Sequence, residues 1–413
     1  MSYLEKLLDG ASVEWTTLGE VCAFQNGFAF KSNLFKEHGQ PIIRITNIDG
    51  IHVDLTDVKY FDLADYSTIN LINYIVRKGD VLIAMSGATT GKIGYYNCDN
   101  KAYINQRVGK FIPNENIVNK KYLYHFLLTK TSFFYDLAGG GAQPNLSSNN
   151  LKEKLQIPIP CPENPEKSLK IQKEIVRILD TLSELTAELT AELTAELTAR
   201  KKQYDYYREE LLTFGDDVTW LPLGEIATLV RGNGLPKSDF TDSGIGCIHY
   251  GQIYTYYGTY ANKTKSFVSS DTAIKLKKVL PNDVIVTNTS ENFEDVCKSV
   301  AWLGEDYIVT GGHATIIKGL VNPKFFVYYT QTLHFMKCKK RYAKGTKVID
   351  VSANDLAKII IPIPPPEEQE KIVKILDKFD TLTTSITEGL PKEIELRRKQ
   401  YEYYRDMLLA FPK

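Results

Sequence analysis

The sequence contains the same series of segments twice, and this internal repeat constrains the architecture more than any other feature. The segment RKKQYDYYREELLTF at residues 200–214 returns as RRKQYEYYRDMLLAF at residues 397–411. Ahead of each copy, EIVRILDTL at residues 174–182 corresponds to KIVKILDKF at residues 371–379. Matches this dense predict two half-chains of the same design, related by a pseudo-twofold axis.

The order of the repeated parts is permuted. YLEKLLDGASVEW at residues 3–15 resembles YREELLTFGDDVTW at residues 207–220, where the first repeat ends and the second begins. The C-terminal YYRDMLLAFPK then supplies the part that the N-terminus lacks. We therefore expect a closed ring of two equivalent halves, with the two chain ends near each other.

Two long helices are predicted by apolar residues that recur at alternating steps of four and three. In the first helix this seam includes Ile171, Ile175 and Leu185 and enters the repeats LTAELTAELTAELTA. This helix should be continuous, whereas Gly389 and Pro391 should kink or break the second one. Packed antiparallel, the two helices would form a coiled-coil spacer in which each TAEL unit adds ~6 Å.

The rest of the chain lacks long helical periodicity and is rich in short β-type runs, such as DVLIAM and DVIVTN, between Gly, Asn and Asp turns. We therefore predict an α/β (α+β) fold with two globular domains in pseudo-twofold arrangement, separated by two long antiparallel helices. The predicted divisions are a first globular domain, a central spacer helix, a second globular domain and a C-terminal spacer helix, at residues 1–165, 166–213, 214–366 and 367–413.

Composition argues against several classes of protein. The 50 basic and 50 acidic side chains cancel, so no strong overall field marks a polyanion binder. No apolar run reaches the roughly 18 residues of a membrane span. The six cysteines lie far apart without a CxxC pair, which argues against structural zinc. We expect a cytoplasmic protein with reduced thiols.

Catalytic motifs are missing from the sequence. SGATTGK at residues 86–92 resembles a phosphate-binding loop, but only three residues separate its glycines and Ile93 follows the lysine. The six histidines show no metal-binding spacing, and NPKF at residues 322–325 is not the motif of an adenine methyltransferase. We therefore expect a non-enzymatic chain that itself binds no cofactor and no metal.

Polar, Gly-rich turns provide the candidate functional residues. Arg, Lys, Asn and Gln side chains pair with base edges, and backbone N–H groups of such turns bind phosphates. Ordinary solvated turns are the alternative interpretation of any single one. The nominated DNA contacts of the first half are Lys31, Arg44, Thr89, Lys92, Asn105, Gln106 and Arg107, and those of the second half are Lys237, His249, Gln252, Asn288, Lys298 and Lys347.

Together these features resemble the specificity subunit (HsdS) of type I restriction–modification enzymes, in the subfamily whose central spacer varies by TAEL repeats. The resemblance rests on the RKKQYDYYR tail, the TAEL units, and the segments GDVLIAMSGATTGKIGYY and INQRVGKF. The second globular half departs from this pattern, because DVIVTNTSENFEDVCKSVAW replaces the SGATTGK segment. We therefore expect its base preference to differ.

The resemblance implies that each globular half is a target-recognition domain for one part of a bipartite, asymmetric site in double-stranded DNA. Two methyltransferase (M) subunits would bring S-adenosylmethionine, and motor-nuclease (R) subunits would bring ATP and Mg. A coiled-coil adaptor that binds only protein is the alternative, and a self-contained enzyme is disfavoured by the missing motifs. The residues predicted to dock the M subunits are Tyr204, Tyr207, Arg208, Tyr401, Tyr404 and Arg405.

Overall fold

The computed structural model describes residues 3–139, 144–385 and 388–412. The helices are α1 (Tyr3–Leu8), α2 (Leu18–Val21), α3 (Lys120–Leu128), α4 (Thr131–Leu137), α5 (Ser148–Lys154), α6 (Pro165–Leu211), α7 (Leu223–Ile226), α8 (Tyr250–Thr255), α9 (Ser270–Lys275), α10 (Pro323–Tyr329), α11 (Leu333–Lys340), α12 (Ala353–Leu356), α13 (Pro366–Thr384) and α14 (Gly389–Leu408). The mixture of helices with short strands confirms the predicted α/β class.

The strands are short and fall in two sets. Those of the first half are β1 (Val13–Thr17), β2 (Cys22–Asn26), β3 (Gln40–Ile43), β4 (Lys59–Phe61), β5 (Ile75–Val76), β6 (Val81–Ala84), β7 (Ile93–Tyr95), β8 (Ala102–Ile104), β9 (Val108–Pro113) and β10 (Gln156–Pro160). Those of the second half are β11 (Thr219–Pro222), β12 (Thr228–Arg231), β13 (Phe240–Thr241), β14 (Ile245–Ile248), β15 (Tyr260–Ala261), β16 (Ser266–Val268), β17 (Lys277–Val279), β18 (Val284–Thr287), β19 (Thr289–Ser290), β20 (Ser299–Trp302), β21 (Ile308–Thr310), β22 (Ala314–Lys318), β23 (Ile349–Asp350) and β24 (Ile360–Ile363).

The chain forms two compact units. One contains residues 1–190 and 396–413, and the other contains residues 191–395. Each unit therefore combines one globular half with parts of both long helical segments. The four-segment division made from the sequence stays a prediction, because these units group the segments differently.

The two units share their sheet topology. In the first, the strand orders are β2-β9-β6-β7 and β4-β3-β8-β5. In the second, the orders are β12-β22-β18-β20-β15 and β13-β16-β14-β21-β17, so each sheet has the same four strands with one more at its edge. Each unit also has an isolated antiparallel pair, β1 with β10 and β11 with β24. Within mainly antiparallel sheets, the parallel pair β3 with β8 of the first unit corresponds to β14 with β21 of the second, which has a further parallel pair, β15 with β20. The duplicated sequence thus folds as a duplicated structure.

Contacts at the chain ends explain the permuted start. Leu408, Leu409 and Phe411 are buried in the core of the first unit, together with Leu4 and Leu8 of α1. The Phe411 ring lies 6.2 Å from that of Tyr122. In the second unit the same contact is made within continuous chain, between Phe214 and Phe325 at 6.1 Å. The predicted proximity of the chain ends is therefore confirmed in the first unit.

The two long helical segments differ in continuity, as predicted. The first is one helix of 47 residues, α6, whereas the second is divided into α13 and α14. The division comes at Gly389, whose φ of +78° favours glycine. A Cβ there would lie 2.5 Å from the Thr381 carbonyl oxygen, so the bend has no room for another residue type.

The predicted apolar seam is only partly correct. In α6, Ile171, Ile175 and Leu179 are buried, and Ile178 packs against the same core while partly exposed. Leu185, which was placed in the seam, is 50% exposed. The first turns of α6 pack against the globular core of their own unit, whereas Leu185 lies beyond that core.

Candidate nucleic-acid interface

In the first unit, a polar pocket forms where two parallel strands end. β3 leads directly into Arg44, and the neighbouring strand β8 leads into a turn, Asn105–Gln106–Arg107. Because the carboxyl ends of parallel strands lie at the same sheet edge, residues distant in sequence come together there. Arg44 and all three turn residues line one concave surface with Ile45 and Thr46.

Thr89 joins this group, and Arg44 is held in place beside it. The Thr89 hydroxyl donates to the Ile45 carbonyl at 3.1 Å. The Arg44 guanidinium donates to the Asp57 carbonyl at 3.4 Å, and its Nε is buried without a partner among the described residues. Arg107 is exposed, and its guanidinium makes no hydrogen bond within the described part of the chain. The pocket thus presents two guanidinium groups and two amides to a ligand.

Lys31 and Lys92 lie outside the pocket. Lys31 is exposed and precedes a short turn, with its backbone N–H bonded to the Tyr66 hydroxyl at 2.9 Å. The Lys92 side-chain stem passes beside Gly50, away from the residues that line the pocket. The structure therefore brings together Arg44, Thr89 and the turn 105–107 and separates the two lysines from them.

The second unit has the same arrangement of strand ends at the equivalent position. β14 leads into His249 and its parallel neighbour β21 leads into Gly311–Gly312–His313. The match is close: the Arg44 N–H bonds to the side chain of Asn47 at 3.0 Å, and the His249 N–H bonds to that of Gln252 at 3.0 Å. His249 therefore occupies the position of Arg44, and His313 that of Arg107.

A glycine makes each turn possible. A Cβ at Gly27 would lie 2.0 Å from the Asn105 carbonyl oxygen, and one at Gly232 would lie 2.0 Å from that of Gly311. Only glycine lets the chain pass this close to the turn. The polar segments NGFAFKS at residues 26–32 and RGNGLPKS at residues 231–238 therefore have a packing role at their first glycine.

His249 and Gln252 make mainly local contacts. His249 is 7% exposed, and its Nδ1 accepts the Gly251 N–H at 3.1 Å. Burial, with a smaller effect of Lys237 and His313, lowers the pKa of His249, so the ring is neutral at pH 7 with its proton on Nε2. The Gln252 amide also donates to the Ser266 hydroxyl at 2.6 Å. Gln252 therefore holds His249 in place through these hydrogen bonds.

Asn288 is wrong as a DNA contact. Its side chain is fully buried, donates to the Val351 carbonyl at 2.7 Å and accepts from the Thr315 hydroxyl at 2.9 Å. Both ends of the amide are occupied inside the core. The equivalent residue of the first unit is Met85, since its carbonyl likewise accepts a backbone N–H from the strand-like segment beside it. The polar TNTSEN run thus begins at a core position.

The two remaining lysines of the second half lie on loops. Lys298 is exposed, donates to the Tyr254 carbonyl at 3.3 Å, and matches Lys92, since the Thr287 and Ala84 N–H groups bond to their carbonyls. Lys347 is exposed in the turn that the Lys344–Asp350 bridge closes. Within the described residues, neither lysine contacts His249, whereas the charge of Lys237 helps to lower the pKa of His249.

Three residues of this edge escaped the sequence analysis. Tyr250 lies between the two histidines, with ring centroids 4.4 Å from His249 and 4.9 Å from His313. The Arg231 guanidinium donates to the Gly312 carbonyl at 3.3 Å. Arg231 and the third residue, His313, lie in the loops RGNG and TGGH, and Tyr250 directly follows His249. These side chains could be nominated only by aligning the two halves.

The predicted docking residues of the helices are divided between core and surface. Tyr204 belongs to the core of its unit, and both Tyr204 and Tyr207 stack on Phe379, so the prediction of a partner contact is wrong for Tyr204. Arg208 and Arg405 lie over the rings of Tyr204 and Tyr401, respectively. The exposed rings are Tyr206 (63%), Tyr403 (62%) and Tyr404 (43%).

A further repeated contact fixes each globular half to its helix. In the first unit, Asp180 accepts from Lys121 at 2.6 Å and from His125 at 3.0 Å. Burial lowers the pKa of His125, so the neutral ring donates its Nε2–H. In the second unit, Asp377 accepts from Lys324 and from the Tyr328 hydroxyl. The aspartate of the repeated ILD is thus an anchor, which the repeat alone did not reveal.

Other kinds of site are not visible in the described residues. Over residues 3–139, 144–385 and 388–412, no cluster of His, Cys, Asp and Glu side chains could hold a metal ion. No helix in this part of the chain is both long and apolar enough to cross a membrane.

Fold and site define a protein built of two equivalent units, each with polar side chains at the end of a parallel strand pair. The family model described as "Type I restriction modification DNA specificity domain" matches the chain twice, at residues 12–199 and 216–396. The chain therefore belongs to the family of type I restriction–modification specificity subunits.

Individual relatives agree along the whole chain. It is 37% identical to the type I restriction enzyme EcoR124I/EcoR124II specificity subunit of Escherichia coli, over 100% of this chain and 98% of the relative. It is 33% identical to the putative type I restriction enzyme specificity subunit S.HindORF215P of Haemophilus influenzae, over 99% and 98% of the two chains.

Solved structures share the fold. One chain, from work on complex assembly and conformational transition of the type I R-M system, has a TM-score of 0.66 at 17% identity, covering 96% of this chain and 97% of that chain. The HsdS subunit of Thermoanaerobacter tengcongensis has a TM-score of 0.51 at 15% identity, covering 96% of both chains. The predicted double-domain architecture is therefore confirmed.

Proposed function

We propose that this chain is the DNA sequence-recognition subunit of a type I restriction–modification complex. Each unit reads one part of a bipartite site in double-stranded DNA. The observation that supports this most is the end of the parallel strand pair, which recurs at the same place in both units and carries Arg44 and Arg107 in one and His249 and His313 in the other. One frame with two sets of side chains suits two different half-sites.

The nominated residues divide into two kinds of DNA contact. In the first unit, Arg44, Asn105, Gln106 and Arg107 are suited to base edges, since guanidinium and amide groups make paired hydrogen bonds there. The lysines on surrounding loops are suited to phosphates, and such contacts fix the register of the protein on DNA without reading its sequence. These are Lys31, Lys92, Lys237, Lys298 and Lys347.

The chain takes no part in catalysis under this proposal. Two methyltransferase subunits dock on the long helices, through exposed rings such as Tyr206, Tyr403 and Tyr404. They bind S-adenosylmethionine, and motor-nuclease subunits bind ATP and Mg. Phosphate contacts from these partners supplement a specificity subunit whose own formal charge is zero.

The test is to co-express the chain with its methyltransferase partner and to map N6-methyladenine in the host genome. We expect one bipartite motif, methylated once on each strand. A stable, co-purified complex that methylates no motif would favour an adaptor that binds only protein.

The same mapping tests the role of the helices and the TAEL units. Deleting one LTAE unit from residues 185–197 removes ~6 Å of helix, so the unread gap should shorten by ~1 to 2 base pairs. Both half-site sequences should stay the same. An altered half-site would show that these units do not act as a spacer.

A further inference from the structure

The turn of the second unit carries a single side chain, and packing is the reason. A Cβ at Gly311 would lie 2.9 Å from the Leu235 Cβ, and one at Gly312 would lie 3.1 Å from the Asn233 carbonyl carbon. The segment 233–235 thus leaves little room for side chains at the first two positions. From this turn, His313 is the residue that can reach a ligand with a side chain.

The surroundings of His313 leave one of its nitrogens available. His313 is exposed, and its Nδ1 lies 3.1 Å from the Thr289 hydroxyl oxygen. The flat side of the ring is flanked by Tyr250, at 4.9 Å between centroids. Nε2 makes no hydrogen bond within the described residues. The imidazole is therefore held by two neighbours and presents one polar atom outwards.

The first unit has a different group at this position. The Arg107 guanidinium has several N–H groups in one plane and can pair with O6 and N7 of guanine together. An imidazole with one free nitrogen makes a single hydrogen bond. In the tautomer in which the Thr289 hydroxyl donates to Nδ1, Nε2–H is a lone donor, and N7 is the major-groove acceptor that guanine and adenine share.

We propose that His313 is a specificity-determining residue of the second unit and that it reads one position of its half-site as a purine, without distinguishing guanine from adenine. This rests on the proposed function and names the reading chemistry of that site. The first unit, with Arg107 at the same position, reads a unique guanine.

The test is motif mapping in the complete methyltransferase complex with His313→Arg and His313→Gln. Arginine should narrow one purine position of the second half-site to guanine, by roughly tenfold or more, because it adds the second hydrogen bond. Glutamine should narrow the same position to adenine, for the same reason. The two variants together exclude a mere loss of folding, since each gains a preference.

A matched control is His38→Arg, which makes the same exchange at an exposed position of the first unit outside the pocket. It should leave both half-sites as in the wild type. The inference is overturned if the wild-type motif has no two-purine position in one half-site, or if both His313 variants methylate the wild-type motif. A wild-type complex without any motif would instead contradict the proposed function.

Discussion

The two units show how one backbone can serve two recognition tasks. Their strand orders match, and the turn beside each parallel pair is packed against a glycine, Gly27 or Gly232, in the same way. What differs is the side chains at the strand ends, where Arg44 and Arg107 of the first unit correspond to His249 and His313 of the second. Packing fixes the frame, and a few residues at its edge are free to set the half-site.

The units also differ in how they are completed. In the second, the chain runs directly from Leu212 and Phe214 into the globular core. In the first, the same positions are filled by Leu409 and Phe411 from the far end of the sequence. The first unit thus depends on non-covalent capture of a segment that the second unit holds covalently.

The largest expected effect tests this difference in completion. Leu409→Ala should destabilise the first unit by about 2–5 kcal/mol, because a buried leucine is truncated in a packed core. Hydrogen exchange should show lost protection in β2, β6 and β9. The matched variant Leu212→Ala should act on the second unit in the same way. Unchanged exchange in the first unit of Leu409→Ala would contradict the account of ring closure.

The next largest effect concerns the loop that follows β18 in the second unit and its counterpart after β6 in the first. In the second unit, the buried Lys339 ammonium donates to the Glu294 and Val296 carbonyls at 2.8 and 2.6 Å. The shorter loop of the first unit instead packs Gly91 against Phe134. Lys339→Met should cost about 2–3 kcal/mol, since two buried acceptors lose a charged donor.

Urea unfolding measures the lost free energy of unfolding. The variant complex should also methylate DNA sites that carry a base change in the second half-site more weakly than the wild-type complex does. Lys337→Met, at an exposed lysine of the same helix, is the control. Equal stability of the two variants would show that the ammonium does not hold the loop.

The smallest effect is on one base position. Arg107→Ala should weaken DNA binding by about 1–3 kcal/mol and relax a single position in one half-site only. Arg77→Ala, at an exposed arginine of the same unit, should relax none. Binding titrations with substituted duplexes measure both. Relaxation in both half-sites would mean that Arg107 acts on the complex as a whole.

The architecture could be predicted from the sequence because two similar half-sequences are expected to fold into two similar units. The break near Gly389 could also be predicted, since it depends on backbone conformation at one residue. The buried stripe of α6 could not, because the same helix packs against a globular core whose position no periodicity reveals.

The site was predictable only in part. Arg44 and the turn 105–107 were nominated separately by residue type, but their meeting depends on the parallel pairing of β3 with β8. Asn288 misled because a polar run continues into a buried position, where the Val351 carbonyl and the Thr315 hydroxyl satisfy its amide. His313 was missed because a histidine after two glycines has no distinctive pattern.

The equivalence of the two turns is tested most directly by giving the first unit the turn sequence of the second. The variant Asn105→Gly, Gln106→Gly, Arg107→His gives the first unit the turn of the second, and methylated motifs are mapped in the complete complex. We predict that the first half-site changes at the position read by this turn, from a unique guanine to either purine, while the second half-site and the gap stay the same. An unchanged first half-site in a complex that still methylates DNA would contradict the account.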